Sequence, residues 1–255
     1  MFVLKIPSHV TDHRSSMNNK AVFFDLDDTL CHAARAWRKA EQETFDSLML
    51  SFHPDLTELN VRRVWESVHQ DLFAQLDNHL IKMADVRDLR FKRTLDELGI
   101  SDLTLADELN KQLSVKRLAY MTLRDDALDT LTTLRATCHI GIITNGAADE
   151  HPDSQYSVAK QLDLFPYIDS FWVSDEVGFR KPETEIFQAA LDHIDIQAHE
   201  AVFVGDSPSK DMAGANRTGM VSVLITALSE PPVPASNDER PDHIIRHLPE
   251  LHQVV

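Results

Sequence analysis

Short apolar runs recur along the chain, and each closes on polar or acidic residues. They are KAVFFDL from Lys20, CHIGIIT ending at Thr144, SFWVS ending at Ser174, AVFVG before Asp206, and VSVLIT ending at Thr226. Such runs are too short for helices and rich in β-branched and aromatic residues, so they predict buried strands. Helical patterns lie between them, among them DDALDTLTTLRA from Asp125 and PETEIFQAALDHI from Pro182, where proline suits a helix start. Strands alternating with helices predict a parallel sheet covered by helices. The polar residues sit just past the strand ends, where open α/β sheets bind ligands. Near the C-terminus, SEPPVPASNDERPD reads as a surface loop and HIIRHLPELHQVV as a last short strand and helix.

Residues 34–118 follow a different period. Trp37, Ala40, Phe45, Leu48 and Phe52 recur at helical spacing, as do Val61, Val64, Trp65, Val68, Leu72 and Leu76. Asp55 with Glu58 resembles a capping box opening that second helix. A third helix is expected to stop at Gly99, and a fourth runs through Leu105, Leu109, Leu113 and Leu118. The pattern predicts four amphipathic helices inserted after the first strand. Residues 1–19 show no period and read as a tail; 20–33 and 119–255 form the core, and 34–118 a helical cap.

Charge narrows the partners. Lys and Arg number 25 against 41 Asp and Glu, a net charge of −16. That balance argues against a nucleic-acid backbone or an anionic membrane as partner. An anionic substrate would need local cations to overcome the long-range field. No apolar run approaches the ~20 residues that span a bilayer. The N-terminal residues lack the apolar stretch of a secretory signal. Cys31 and Cys138 are too few for a disulfide framework or a cysteine-rich zinc site, and a reducing cytoplasm is expected.

Four stretches carry the candidate chemistry. FFDLDDTL places Asp25 at the end of a buried strand, with Asp27 and Asp28 following. A carboxylate there is costly unless something uses it. If the chain leaves the strand at that point, Asp25 and Asp27 can converge on one metal, although an aspartate cluster is also a turn sequence. In IGIITNG, Thr144 closes a strand and Asn145-Gly146 form a turn whose backbone N–H groups can hold an anion. In GFRKPE, Lys181 precedes Pro182, where the helix dipole disfavours a cation; Arg180 is a competing cation, and a surface lysine is the plainer reading. In FVGDSPSKDMAGA, Asp206 follows a strand and Asp211 lies near a helix start. There is no phosphate loop of the GxxxxGK[ST] type, no GxGxxG after a strand, no GxSxG elbow and no HExxH.

Taken together, the order DxD, Thr, Lys, GDxxxxD resembles the haloacid dehalogenase superfamily of phosphohydrolases over essentially all of 20–250. The stretches IGIITNG and VSDEVGFRKPETEIF look most like its nucleotidase and sugar-phosphatase branch. The resemblance implies a three-layer, Rossmann-like α/β sandwich with a doubly wound parallel sheet and an inserted four-helix cap. It implies Asp25 as nucleophile and Asp27 as general acid and base, with its backbone carbonyl at the metal. Thr144 and the Asn145 backbone would bind the phosphoryl group, and Lys181 would neutralise oxygens. Asp206 and Asp211 would complete a Mg²⁺ site with Asp25 and Asp27. The hard oxygen ligands suit Mg²⁺ over zinc. The implied activity is Mg²⁺-dependent hydrolysis of a small phosphorylated metabolite, a nucleoside monophosphate or sugar phosphate, through an aspartyl-phosphate. Dehalogenation, phosphomutase chemistry and a catalytically silent phospho-ligand binder are the alternatives. Arg87, Arg90 and Arg93 fall near one face of the third cap helix, and Arg90 is the first candidate for a cation on the substrate, against a solvated basic face.

Overall fold

A computed structural model describes residues 20–51, 56–227 and 231–255, with the Ser51 side chain excepted. The expected tail 1–19, Phe52 and Asp55 lie outside the described residues. Six parallel strands form one sheet: β1 (Ala21–Phe24), β2 (His139–Thr144), β3 (Ser170–Val173), β4 (Ala201–Gly205), β5 (Val221–Ile225) and β6 (His243–Ile245). Their order is β3-β2-β1-β4-β5-β6, with helices on both faces. Every residue of β1 is buried, as continuous apolar strands of a doubly covered sheet must be. The chain winds from β1 through β2 to β3, then returns to β4 on the other side of β1. The switch point therefore lies between β1 and β4, where such sheets form a ligand crevice. Phe24 pairs with Val204, so Asp25 and Asp206 emerge at the carboxyl ends of neighbouring strands.

The described chain falls into two compact units. One takes in 20–33, 122–148 and 159–255 and contains the sheet. Its core includes Phe23, Ile143, Phe187, Phe203, Met212 and Leu224. The other takes in 34–121 and 149–158. It contains helices α1 (Ala33–Ser51, from its second residue on), α2 (Glu58–Asp77), α3 (Met83–Glu97) and α4 (Leu103–Tyr120). All six periodic residues from Val61 to Leu76 are buried in α2, and Leu105, Leu109 and Leu113 are buried in α4. Gly99, at φ 79°, follows the end of α3.

Local geometry departs from the sequence reading in three places. Helix α2 is capped by Thr57, whose side chain accepts from Asn60 N–H at 3.3 Å; a hydroxyl one residue before the helix is correctly placed for that bond. The helix expected from Pro182 begins instead at Thr184, because residues 180–183 close a turn of their own. Arg180 N–H donates to the Glu183 carboxylate and Glu183 N–H to Arg180 C=O, both at 2.7 Å. Finally, segment 149–158 belongs with the helices. Arg87 makes a two-pronged contact with the Asp149 carboxylate, and Arg90 donates to Asp153 Oδ2 at 2.7 Å.

Candidate active site

Asp25 stands one residue beyond β1, and its N–H still joins the ladder, donating to Val204 C=O at 2.9 Å. The nearest partner of its carboxylate is a cation. Lys181 Nζ donates to Asp25 Oδ1 at 2.7 Å and lies 2.7 Å from Asp211 Oδ1. Lys181 is buried at 4% exposure, which removes the surface-lysine reading. Burial alone would lower its pKa, but the carboxylates of Asp211 and Asp25 outweigh that and hold it above the ordinary lysine range.

Asp211 is positioned by a wide, π-type helical turn, Pro208–Met212, in which Met212 N–H reaches back to Ser207 C=O at 3.2 Å. Its N–H donates to Ser207 C=O at 2.9 Å, and its Oδ2 accepts from Ser207 N–H at 3.0 Å. Gly205 makes room for this: a Cβ there would lie 2.4–2.5 Å from the Asp211 side chain. Asp206 is half-buried beside them. Carboxylate oxygens of Asp25, Asp206 and Asp211 lie within 4.8 Å of one another.

Three carboxylates face one ammonium. Burial, with the excess of negative charge behind it, shifts the pKa values of Asp206 and Asp25 upward. Burial first, then Asp25, Asp211 and Asp28, push Asp206 up to about 8. Burial likewise raises Asp25 to about 7, against the opposing pull of Lys181. This donor set fits a divalent cation: the oxygens are hard and no Cys or His is among them. Buried Asp211 Oδ1 also makes no hydrogen bond despite its contact with Lys181. Asp25, Asp206 and Asp211 would hold such an ion.

The Asp27 carboxylate is not part of that cluster. The chain leaves the strand after Phe24, Asp27 forms a bridge with Cys31, and Asp28 takes the left-handed conformation at φ 58°. A two-residue spacing puts both side chains on one face only while the strand is regular. Thr144, 1% exposed, ends β2 opposite Val173. The Asn145 side chain meets the Lys181 backbone. Ser174 and Arg180, both buried, also belong to this neighbourhood, with Ser174 Oγ meeting Gly146. Ser174 was legible only as a strand end; a small hydroxyl residue at that place is the signal that marks it.

Arg90 occupies a different setting, in the helical unit. It is 2% exposed and donates to Asn110 Oδ1, Ser114 Oγ and Asp153 Oδ2 at 2.7–2.9 Å. Its guanidinium ties α3 and α4 to segment 149–158 through an internal ion pair, so it is not part of a solvated basic face. Among the described residues, no helix is long and apolar enough to cross a membrane.

A family model described as haloacid dehalogenase-like hydrolase matches residues 19–219. The chain is 28% identical to a glyceraldehyde 3-phosphate phosphatase of Methanopyrus kandleri, over 92% of this chain and 97% of that one. It is 27% identical to an N-acylneuraminate-9-phosphatase of Rattus norvegicus, over 91% and 92%. The solved structure of a 2-haloacid dehalogenase from Pseudomonas syringae superposes with a TM-score of 0.70 at 28% identity, covering 92% of this chain and 97% of that one.

Proposed function

The chain belongs to the haloacid dehalogenase-like hydrolase family, and from that premise we propose that it is a Mg²⁺-dependent phosphatase of small phosphate monoesters. The observation that carries this reading is the Asp25–Lys181–Asp211–Asp206 cluster at the switch point of the sheet. Relatives named for glyceraldehyde 3-phosphate and N-acylneuraminate 9-phosphate favour a sugar phosphate over a nucleoside monophosphate.

Asp25 is the nucleophile. Its oxygen attacks phosphorus in line, the ester P–O bond breaks, and an aspartyl-phosphate forms. Asp27 gives its proton to the leaving oxygen. It then takes one from water, whose oxygen attacks the same phosphorus and frees Asp25 and inorganic phosphate. Lys181, held against Asp25, offsets the charge of the nucleophile and the incoming phosphate. Thr144 and the Asn145 N–H donate to phosphoryl oxygens at the end of β2. A Mg²⁺ held by Asp25, Asp206 and Asp211 would supply the remaining charge neutralisation.

The dehalogenase relative makes halide displacement the competing reading. Halide leaves without a proton, whereas an alkoxide needs one, and Asp27 is the acid that need calls for. The test is a panel of phosphorylated sugars, nucleoside monophosphates and 2-haloacids, assayed for phosphate and halide release with Mg²⁺ and with excess chelator. Phosphate release that requires Mg²⁺ is expected. Halide release, or phosphate release undiminished by chelator, would overturn the reading.

A further inference from the structure

The hydrogen-bond ladder between β2 and β3 ends at the pair Thr144–Val173. Beyond it, the loop that follows β2 and the loop that carries Lys181 continue side by side, joined by side chains. Asn145 makes a two-point contact with the backbone of Lys181, 36 residues away. Its Oδ1 accepts from Lys181 N–H at 2.8 Å, and its Nδ2 donates to Lys181 C=O at 3.0 Å. One residue on, Gly146 N–H donates to Ser174 Oγ at 2.9 Å, and that hydroxyl lies 3.3 Å from Gly146 C=O, to which it donates. Asp175 N–H donates to the same carbonyl at 3.2 Å, and Arg180 Nη1 to Ser174 Oγ at 3.4 Å. Gly146 itself sits at φ 153°, a conformation L side chains rarely adopt, which lets both its peptide groups face Ser174.

From this pairing we infer that Asn145 and Ser174 are positioning residues: their side chains clasp the lysine loop to the phosphate-binding loop and so set where the Lys181 ammonium stands. The inference rests on the phosphatase reading of that site. A lysine side chain is a flexible stem carrying about 2 kcal/mol of rotamer entropy. Its ammonium is useful only where it reaches Asp25, and holding both peptide groups of residue 181 fixes the base of the stem. The contact needs one acceptor and one donor on a short planar group. Asparagine supplies both; aspartate lacks the donor and alanine lacks both. The Ser174 hydroxyl repeats the arrangement one step further along, as donor and acceptor to one glycine.

The experiment uses the full chain with Mg²⁺ and inorganic orthovanadate, a phosphoryl mimic, with affinity read from thermal shifts. Asn145→Ala is expected to weaken vanadate binding by about 10-fold or more and to lower kcat on p-nitrophenyl phosphate by about 10²-fold, the loss that a ~1 Å misplacement produces. Ser174→Ala should move both readouts the same way by a smaller factor, and it stands in if Asn145→Ala does not fold. In a Lys181→Met background, Asn145→Ala should change vanadate affinity by less than about 2-fold, because residues that act through one another are non-additive. An active wild type whose Asn145→Ala and Ser174→Ala variants keep its affinity and kcat overturns the clasp alone. So does a full additive loss in the Lys181→Met background. A wild type that binds vanadate but releases no phosphate overturns the phosphatase reading and leaves the clasp to the affinity data. A wild type that does neither removes both.

Discussion

Asp25 and Asp27 are two residues apart, yet the fold gives them different neighbours. Asp25 is buried against Lys181, whereas Asp27 is half-buried and faces Cys31. Asp25→Asn keeps the shape but removes the carboxylate proposed to attack phosphorus, so phosphate release should vanish while the circular dichroism spectrum is unchanged. Residual turnover at the wild-type rate would mean that another group attacks. For Asp27→Asn the discriminating quantity is a ratio. An alkyl phosphate needs a protonated leaving oxygen, and general-acid help of that kind is worth about 10²–10⁴-fold. The p-nitrophenolate anion needs little help. The variant should therefore lose far more kcat on an alkyl phosphate than on p-nitrophenyl phosphate, and equal losses would assign Asp27 a structural role.

Among the elements, α3 shows how one periodic row of cations divides by tertiary setting. Arg87 and Arg90 are buried and bound to segment 149–158, while Arg93 meets Asp71 of α2 at 2.6 Å with both side chains substantially exposed. Asp153 is nearly enclosed. Burial would raise its pKa, but Arg90 and Arg117 outweigh burial and hold it below the ordinary carboxylate range. Its stabilising contribution is thus present above pH ~4 and lost as pH falls through the lowered value. Asp153→Asn leaves the shape and strands two arginines, so it should cost about 3–5 kcal/mol in urea unfolding of the helical unit. Arg93→Ala should leave the midpoint unchanged, since exposed pairs are screened by water and salt. Similar losses from both would refute the division.

At the level of the whole molecule, the carboxylate cluster couples stability to pH, and the proposed metal site would couple it to Mg²⁺ as well. Asp206, at about 8, and Asp25, at about 7, hold protons in the folded state that the unfolded chain releases near pH 4. Between those values the unfolded state binds fewer protons, so stability falls as pH rises. In chelator, the melting temperature should therefore decline from pH 5 to pH 8 more steeply for the wild type than for Asp206→Asn. Mg²⁺ should raise it, and more at pH 8 than at pH 5, because the ionised cluster binds the cation and protons compete with it. A Mg²⁺ effect that is absent, or as large in Asp206→Asn, would remove the metal site.

What the chain determines by itself is local. The six strands and the burial of Val61 through Leu76 follow from the period of apolar residues over a few turns or pleats. The placing of Thr144 at a strand end, and of Asp25 and Asp206 just beyond theirs, follows from the same runs. The order of the four acidic, hydroxyl and lysine motifs was enough to suggest the family. Only the tertiary structure decided which groups meet. Lys181 reaches Asp25 across 156 residues, Asn145 holds the Lys181 backbone across 36, and Arg90 finds Asp153 across 63. No period encodes such pairs. They depend on which strand ends lie side by side and on where a loop returns, which is why the carboxylate cluster omits Asp27 and segment 149–158 joins the helices. An isolated motif specifies residue types and conformation; burial, partner and charge state come from chain segments that folding alone brings together.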